Sequence, residues 1–203
     1  MLEKEPDKKL SVIKVSATSR HTVTAMVIQD AVKMGMPTEV QTIGASACNQ
    51  GIKSIALTRR LLEEKDIHIG CVPHFVKIEV DGQERTAVRF SVVRAKLESK
   101  VDESEDSILK ISAMSRATAV AGALTKAIKK NKIAVVQSLG SSATYQAVKG
   151  LALGAEYLKK DGIEIVSFPI FRDFDLDGMQ RTAVRFIVAN TDSVVKDFSS
   201  GNE

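Results

Sequence analysis

The chain has 203 residues, of which 44% are hydrophobic and 27% charged, a composition typical of a folded globular protein and not of a disordered one. Its length suffices for one large domain or two small ones, and its longest apolar stretches are far too short to span a membrane. The net charge of +4 permits an anionic partner without requiring one.

The first half of the chain predicts four strands and two helices in the order βαβαββ. In chain order the predicted elements are a strand at 10–16, a helix at 19–34, a strand at 39–43, a helix at 46–65, an extended segment at 67–80 and a return strand at 85–93. Ser19 is the predicted N-cap of the first helix. Pro73 marks a bulge or an edge position, and Asp81-Gly82 favours a tight hairpin. These elements predict a two-layer α/β (α+β) domain, in which both helices cover one face of a four-stranded sheet.

The second half repeats the first at a constant offset of 96 residues, with no gap over about 80 positions. The segment IKVSATSR, which starts at Ile13, returns as LKISAMSR from Leu109. The segment RTAVRF, which starts at Arg85, returns unchanged from Arg181. We therefore predict two tandem βαβαββ domains with matching element lengths, at residues 11–95 and 108–190.

Residues 96–107 join the two repeats. This segment has five acidic residues and two lysines, which predicts a solvated acidic linker that is either flexible or meandering. The first ten residues of the chain and the last dozen are predicted to be frayed tails. The repeats themselves carry net charges of +3 and +6, so the basic charge is concentrated on the two domains.

Several motifs in order resemble the stage V sporulation protein S family. In the first repeat they are KVSATS, VQTIGASACNQGIKSIAL, CVPHF and DGQERTAVRF; in the second they are ISAMS, VQSLGSSATYQAVKGLAL, SFPIF and DGMQRTAVRF. Members of that family are typically single small domains, whereas this chain is doubled. The resemblance implies an Alba-like fold for each repeat, nucleic-acid binding, and a link to sporulation in bacteria.

The return strand of each repeat carries two arginines that are candidates for phosphate contacts. Period-two alternation places Val88 and Phe90 toward the helices and the arginines on the opposite face. A guanidinium group matches the geometry of a phosphate. The alternative is that these arginines are solvated or paired with Asp81 and Glu79. We predict that charge reversal at all four weakens nucleic-acid binding without unfolding the protein. The candidates are Arg85, Arg89, Arg181 and Arg185.

A second set of candidates lies where helices begin. Arg20 and Arg116 lie at the start of the first helix of each repeat, where free backbone N–H groups and the helix dipole attract anions. On the second helices, Lys53 lies within one turn of Asn49 and Gln50, and Lys149 within one turn of Tyr145 and Gln146. We assign these four side chains to the same anionic partner as the strand arginines.

The sequence contains no motif of a nucleotide-binding or nucleophilic enzyme: P-loop, GxGxxG and GxSxG patterns do not occur. The segment 173–178, DFDLDG, imitates the start of a calcium loop, but Val184 stands where the final glutamate ligand belongs. The three histidines have no counterparts in the second repeat. We therefore expect neither catalysis nor a metal ion or other cofactor.

The leading functional hypothesis is a non-enzymatic protein that binds DNA or RNA through largely sequence-independent phosphate contacts. The alternative is a structural or scaffold protein whose paired domains mediate protein–protein assembly. Cys48 and Cys71 lie outside any CxxC pair, which predicts a reduced, cytoplasmic protein with both thiols in the core.

The resemblance also bears on assembly, because Alba-like domains generally act as dimers. Two fused copies can satisfy a self-complementary surface within one chain as a pseudo-symmetric dimer. The competing arrangement is a homo-oligomer in which each repeat pairs with a repeat of another chain. The predicted seam is the small-residue side of the two second helices, with Gly51, Ser54 and Thr58 against Ala147, Gly150 and Gly154.

Overall fold

A computed structural model describes residues 10–176 and 178–195 of the chain. Each repeat has the predicted order βαβαββ, and two short strands and two 3₁₀ turns follow the repeats. The elements are β1 (Ser11–Val15), α1 (His21–Lys33), β2 (Thr38–Thr42), α2 (Ala45–Glu63), β3 (Ile69–Val80), β4 (Gln83–Arg94), β5 (Lys96–Leu97), β6 (Ile108–Ile111), α3 (Ala117–Asn131), β7 (Ile133–Ser138), α4 (Ser141–Lys160), β8 (Ile165–Leu176), β9 (Met179–Asn190) and β10 (Val194–Val195). The fold predicted from the sequence is therefore confirmed.

Turn residues set the boundaries of these elements. Gly44 and Gly140 have φ of 80° and 84°, and each separates a strand from the helix that follows it. Asp81 and Gly82, with φ of 53° and 73°, form the two-residue turn between β3 and β4. Two consecutive positive φ values match the twist of a hairpin, which is why Asp-Gly predicts one so well.

The strands form one continuous eight-stranded sheet in the order β1-β2-β4-β3-β8-β9-β7-β6. The two repeats join where β3 and β8 pair antiparallel, through Cys71 and Ser167. These two residues are equivalent positions of the repeats, so a pseudo-two-fold axis passes between them. Pro73 and Pro169 lie two residues further along each strand and lack the N–H group that would extend the ladder.

One apolar core runs through both repeats between the sheet and the four helices. Ile52, Ile55 and Phe90 of the first repeat and Leu151 and Phe186 of the second are at most 1% exposed and belong to the same cluster. Their burial explains why the helix-facing positions of each strand are apolar.

Both cysteines are free and buried in this core, as predicted. Burial raises the pKa of Cys48 and of Cys71 to about 12, so both remain thiols at neutral pH.

The predicted seam names the right helices, because α2 and α4 contact each other across the boundary, but it names the wrong residues on them. A Cβ atom on Gly51 would contact Thr42 of the same repeat, and one on Gly150 or Gly154 would contact Val120 or Leu124 of α3. The small residues of α2 and α4 therefore let each helix approach its own repeat closely, and they do not face the other repeat. The Thr58 hydroxyl likewise donates to the carbonyl of Ala25 in α1, at 3.0 Å.

Besides these two helices, the seam includes residues near the β3–β8 contact. A Cβ atom added to Gly70 would lie 2.4 Å from Cγ1 of Val166. The guanidinium carbon of Arg59 lies 5.4 Å from the centre of the Phe168 ring, across the boundary between the repeats. Two contacts therefore characterise the seam. The backbone of Gly70 lies directly against Val166, and Arg59 makes a cation–π contact with Phe168.

The linker meanders across the face of the sheet opposite the helices, so it is not solvated along its whole length. Leu97 and Val101 pack against a second apolar cluster that includes Phe168 and Ile187. Val194 and Val195 pair with Leu97 and Lys96, although they were expected in a frayed tail. Residues 1–9 and 196–203 lie outside the described part of the chain.

Candidate nucleic-acid interface

Both helices of a repeat begin at the same end of its sheet. The parallel strands β1 and β2 each lead into a helix at their carboxyl ends. Strand β4 pairs with β2 only from Val88 onward. The part of the β3–β4 hairpin between the cross-strand pair Val76–Ala87 and the turn therefore extends beyond the sheet at this end. The second repeat has the same arrangement, with Ser138–Val184 as the last β7–β9 pair. We call these projecting hairpins the first and second arms.

The starts of all four helices are open to anions. None of the helices α1 to α4 has a side chain that caps its N-terminus, and none has an acidic residue in its first turn. Arg20 and Arg116 are the N-cap residues of α1 and α3, and both are exposed. Free N–H groups and the helix dipole give all four starts a positive potential, and a guanidinium adds to it at the starts of α1 and α3.

The N-cap of α1 differs from the prediction. Ser19 is not the cap, because its Oγ accepts a hydrogen bond from the backbone N–H of Ser16 at 2.9 Å. Ser115 makes the same contact with Ser112 in the second repeat, at 3.0 Å. These serines close the turn before each helix and leave the N-terminal N–H groups uncapped.

Arg85 and Arg181 lie on the two arms and are exposed. Within the described residues, neither forms an ion pair with a carboxylate; Arg181 contacts the sulfur of Met179 at 3.8 Å. On the first arm Lys77 pairs with Glu84 at 2.8 Å, which leaves Arg85 beside a locally neutral pair. Both arginines are therefore available to an anion in solution.

Arg89 and Arg185 have the same spacing but a different environment. Arg89 lies on the helix-free face of the sheet, where its Nε donates to Gln41 at 2.8 Å and its Nη1 to Glu39 at 3.1 Å. Arg185 donates to Gln137 in the same way and forms an ion pair with Glu103 of the linker. The carboxylates that neutralise them are thus neither Asp81 nor Glu79 nor their equivalents.

The linker replaces a carboxylate that the second repeat lacks. The position equivalent to Glu39 is Val135, so β7 offers no acid to Arg185. Glu103 reaches across the sheet to Arg185 and also binds Arg172 at 2.9 Å. Hydrogen bonding to Arg172, together with the contact to Arg185, lowers the pKa of Glu103.

Substitution of this linker carboxylate tests its structural role. We expect Glu103→Gln to lower the free energy of unfolding by about 1–2 kcal/mol at neutral pH, because Arg185 loses its charged partner. The folded-state pKa of Glu103 lies below the unfolded one, so its stabilisation is present at neutral pH and lost as the pH falls through the folded-state value. Urea unfolding in a descending pH series measures both effects.

The matched control is Glu105→Gln, because Glu105 pairs with the exposed Lys110 of the same region. That variant should unfold close to the native curve. Equal losses in the two variants would contradict the role assigned to Glu103.

Lys53 and Lys149 lie half-buried at the boundary between the repeats. Lys53 lines a cleft of about 330 Å³, together with His21 and Asn49 of the first repeat and Phe171 and Thr182 of the second. We call this space the seam cleft. Arg20 and Arg181 directly precede two of its lining residues, so the cleft joins a helix start of one repeat to the arm of the other.

On the other side of the pseudo-two-fold axis, the residues that correspond to Asn49 and Lys53 contact each other. Tyr145 stands where the first repeat has Asn49, and the Lys149 ammonium lies 4.7 Å from the centre of its ring. The charge of Lys149 acts on Cys48 of the first repeat, which shows that this lysine also lies at the boundary. The structure thus brings Lys53 into an open cleft and Lys149 onto an aromatic ring.

His21 and Thr182 are site residues that sequence reasoning missed. His21 was treated as incidental because the second repeat has Ala117 at its position. No sequence pattern marks these residues, since the cleft forms only when two segments far apart in the chain meet.

The segment that imitates a calcium loop is part of a hairpin. Strand β8 runs to Leu176, and Oδ1 of Asp175 accepts a hydrogen bond from the N–H of Gly178 at 2.8 Å. Asp177 lies outside the described residues. Across the described ranges, no three His, Cys, Asp or Glu side chains cluster as metal ligands would.

In the described part of the chain, none of the helices has the length and apolar character needed to cross a membrane.

The family model described as Stage V sporulation protein S (SpoVS) matches the chain twice, over residues 11–95 and again over residues 107–191. The two matches together cover most of the 203 residues. Each of them spans one βαβαββ repeat, from its first strand to the end of its second hairpin strand.

Proposed function

Because the chain belongs to the stage V sporulation protein S family, a sporulation-related family, and carries its domain twice, we propose that it is a non-enzymatic protein that binds DNA or RNA. The contacts are made to phosphates and are largely independent of base sequence. The observation that carries the proposal is the charge at the helix starts: four N-termini have no side-chain cap and no acidic first-turn residue, and two of them begin at the exposed arginines Arg20 and Arg116.

The six cations assigned to this role fall into two sets. Arg20, Arg85, Arg116 and Arg181 are exposed and belong to helix starts and arms. Lys53 and Lys149 lie at the boundary, where they would contact a phosphate only after it had been drawn in. Arg89 and Arg185 have a supporting role, because Glu39 and Glu103 already neutralise them.

A salt titration tests the proposal. We expect fluorescein-labelled duplex DNA and duplex RNA to bind the full chain at low salt, with log K falling linearly against log[salt]. Contacts from six cations predict a slope of about −5, because each phosphate contact contributes roughly −0.9. Fluorescence anisotropy measures the affinities. Absence of binding to both duplexes at the lowest salt concentration would refute the proposal.

The alternative is a scaffold protein, and one observation favours it. Val23, Met26 and Val27 form an apolar stripe on α1 and are 56%, 61% and 48% exposed. The second repeat has Ala119, Gly122 and Ala123 at these positions, so the stripe occurs in one repeat only. An exposed stripe of this kind is typical of a protein contact.

Sedimentation distinguishes the two functions. A chain that stays monomeric at tens of micromolar and binds duplexes supports nucleic-acid binding with pairing inside the chain. Growth into dimers or filaments, which Met26→Lys abolishes, together with salt-insensitive or absent duplex binding, supports the scaffold function.

A further inference from the structure

A cavity of about 1060 Å³ lies in the seam, beside the carboxyl ends of α1 and α2. Its walls are largely apolar: Val32, Ile69 and Val93 line it from the first repeat and Ala155, Ile163 and Val166 from the second. Small-molecule sites have volumes of roughly 300–1,000 Å³ and similar apolar walls with a few polar groups. The cavity therefore has the size and lining of a ligand site.

A difference in side-chain size between equivalent positions of the two repeats explains why this space exists. On one side of the pseudo-two-fold axis, Arg59 packs over Phe168 and fills the seam. The equivalent residues on the other side are Ala155 and Val72, and both line the cavity. Two small side chains thus take the equivalent positions of two large ones, so the space that Arg59 and Phe168 fill on one side is open on the other.

The mouth of the cavity differs between the repeats in the same way. In the second repeat Lys129 forms an ion pair with Asp161 at 2.8 Å. The equivalent residues of the first repeat are Lys33 and Lys65, which both line the cavity. A cation thus stands where the second repeat has the neutralising carboxylate.

The two lysines lie close enough to affect each other. Loss of hydration and repulsion by the charge of Lys65 lower the pKa of Lys33. Of the two carboxylates that line the cavity, Asp66 already binds His68 at 3.0 Å and Lys96 at 3.7 Å. An anion between Lys33 and Lys65 would restore the neutrality that Asp161 supplies in the second repeat.

We propose that the seam cavity binds an amphiphilic small-molecule anion, an unbranched apolar chain that ends in a carboxylate. The chain lies between the two repeats, and the carboxylate lies between Lys33 and Lys65. Each methylene transferred from water into such a cavity strengthens binding roughly fourfold, so a chain of about ten to twelve carbons suffices for tight binding. This site is separate from the helix starts and arms, and its occupancy does not depend on nucleic acid.

Calorimetric titration of the full chain with dodecanoate, below its micelle concentration and without nucleic acid, tests the proposal. We expect saturable binding of one molecule per chain. Acetate, which lacks the chain, and dodecanol, which lacks the charge, should each bind at least about tenfold more weakly.

Two variants introduce into the first repeat the residue types that the second repeat has at the equivalent positions. Lys65→Asp recreates the Lys129–Asp161 pair and should weaken dodecanoate binding by at least about tenfold. Val72→Phe introduces the ring that Phe168 places on the filled side, and should abolish binding by occupying the space. Lys130→Asp makes the same charge change on an exposed site of α3 and should bind as the native chain does.

Lys65 is exposed, so Lys65→Asp retains the native circular dichroism spectrum and remains informative even if Val72→Phe is unstable. Lack of saturable dodecanoate binding by the native chain would overturn the proposal. Equal affinity of the native chain and Lys65→Asp would overturn it as well.

Discussion

Replacement of Gly70 by valine is expected to lower the free energy of unfolding by about 2–3 kcal/mol, because it forces the two repeats apart. A Cβ atom at this position would lie 2.4 Å from Cγ1 of Val166, 3.1 Å from Cε1 of Phe168 and 3.1 Å from the carbonyl oxygen of Ser167. The side chain of Val166 can shift, but the backbone of β8 cannot do so without breaking the Cys71–Ser167 pair. Urea unfolding followed by circular dichroism measures the loss.

The repeats provide the controls for this prediction. Gly70 and Val166 are equivalent positions that face each other across the pseudo-two-fold axis. The double variant Gly70→Val, Val166→Gly exchanges them and should recover most of the lost stability. Gly122→Ala adds a Cβ in a helix with nothing within 4 Å, and should stabilise the chain by about 1 kcal/mol. Native stability of Gly70→Val would contradict the seam described here.

Removal of the four exposed arginines is expected to weaken nucleic-acid binding by at least about 100-fold at low salt. The variant replaces Arg20, Arg85, Arg116 and Arg181 by glutamine. Because each lost phosphate contact lowers the salt slope by about 1, the slope should fall by about 3–4. Anisotropy titrations with the labelled duplexes at several salt concentrations measure both quantities.

A second variant removes the same charge from a different surface. It replaces by glutamine the exposed lysines near the ends of α3 and α4: Lys126, Lys130, Lys132 and Lys160. The residue Arg116 begins α3, about 20 Å from the end of that helix at 1.5 Å per residue. Comparable weakening by both variants would show that net charge alone governs binding, and would remove the specific role of helix starts and arms.

Charge reversal at the two ion-paired arginines is expected to affect stability as well as binding. Charge reversal at Arg89 or Arg185 would place a carboxylate against Glu39 or Glu103, so we expect a loss of stability along with any loss of binding. Reversal at Arg85 and Arg181 disturbs no ion pair within the described residues. We therefore expect charge reversal to leave the fold intact at Arg85 and Arg181, and not at Arg89 and Arg185.

The fold followed from local signals that the chain repeats. The glycines before α2 and α4 and the Asp-Gly turn each specify a backbone conformation that few other residues adopt, so their positions mark element boundaries. Alternation along β4 placed Val88 and Phe90 in the core correctly. A gapless offset of 96 residues then transferred every element to the second half.

The relation between the repeats, and with it the candidate site, was decided by tertiary structure. Small residues on α2 and α4 suit close packing within their own repeat as well as against a partner, and periodicity does not distinguish the two. The partner of Arg185 is a linker glutamate 82 residues away, and composition alone describes that linker as solvated. The seam cleft joins His21 to Thr182, and these segments meet only because the two repeats pack against each other. Local sequence specifies backbone conformation and the buried face, whereas contacts between distant segments depend on which pairs of surfaces fit.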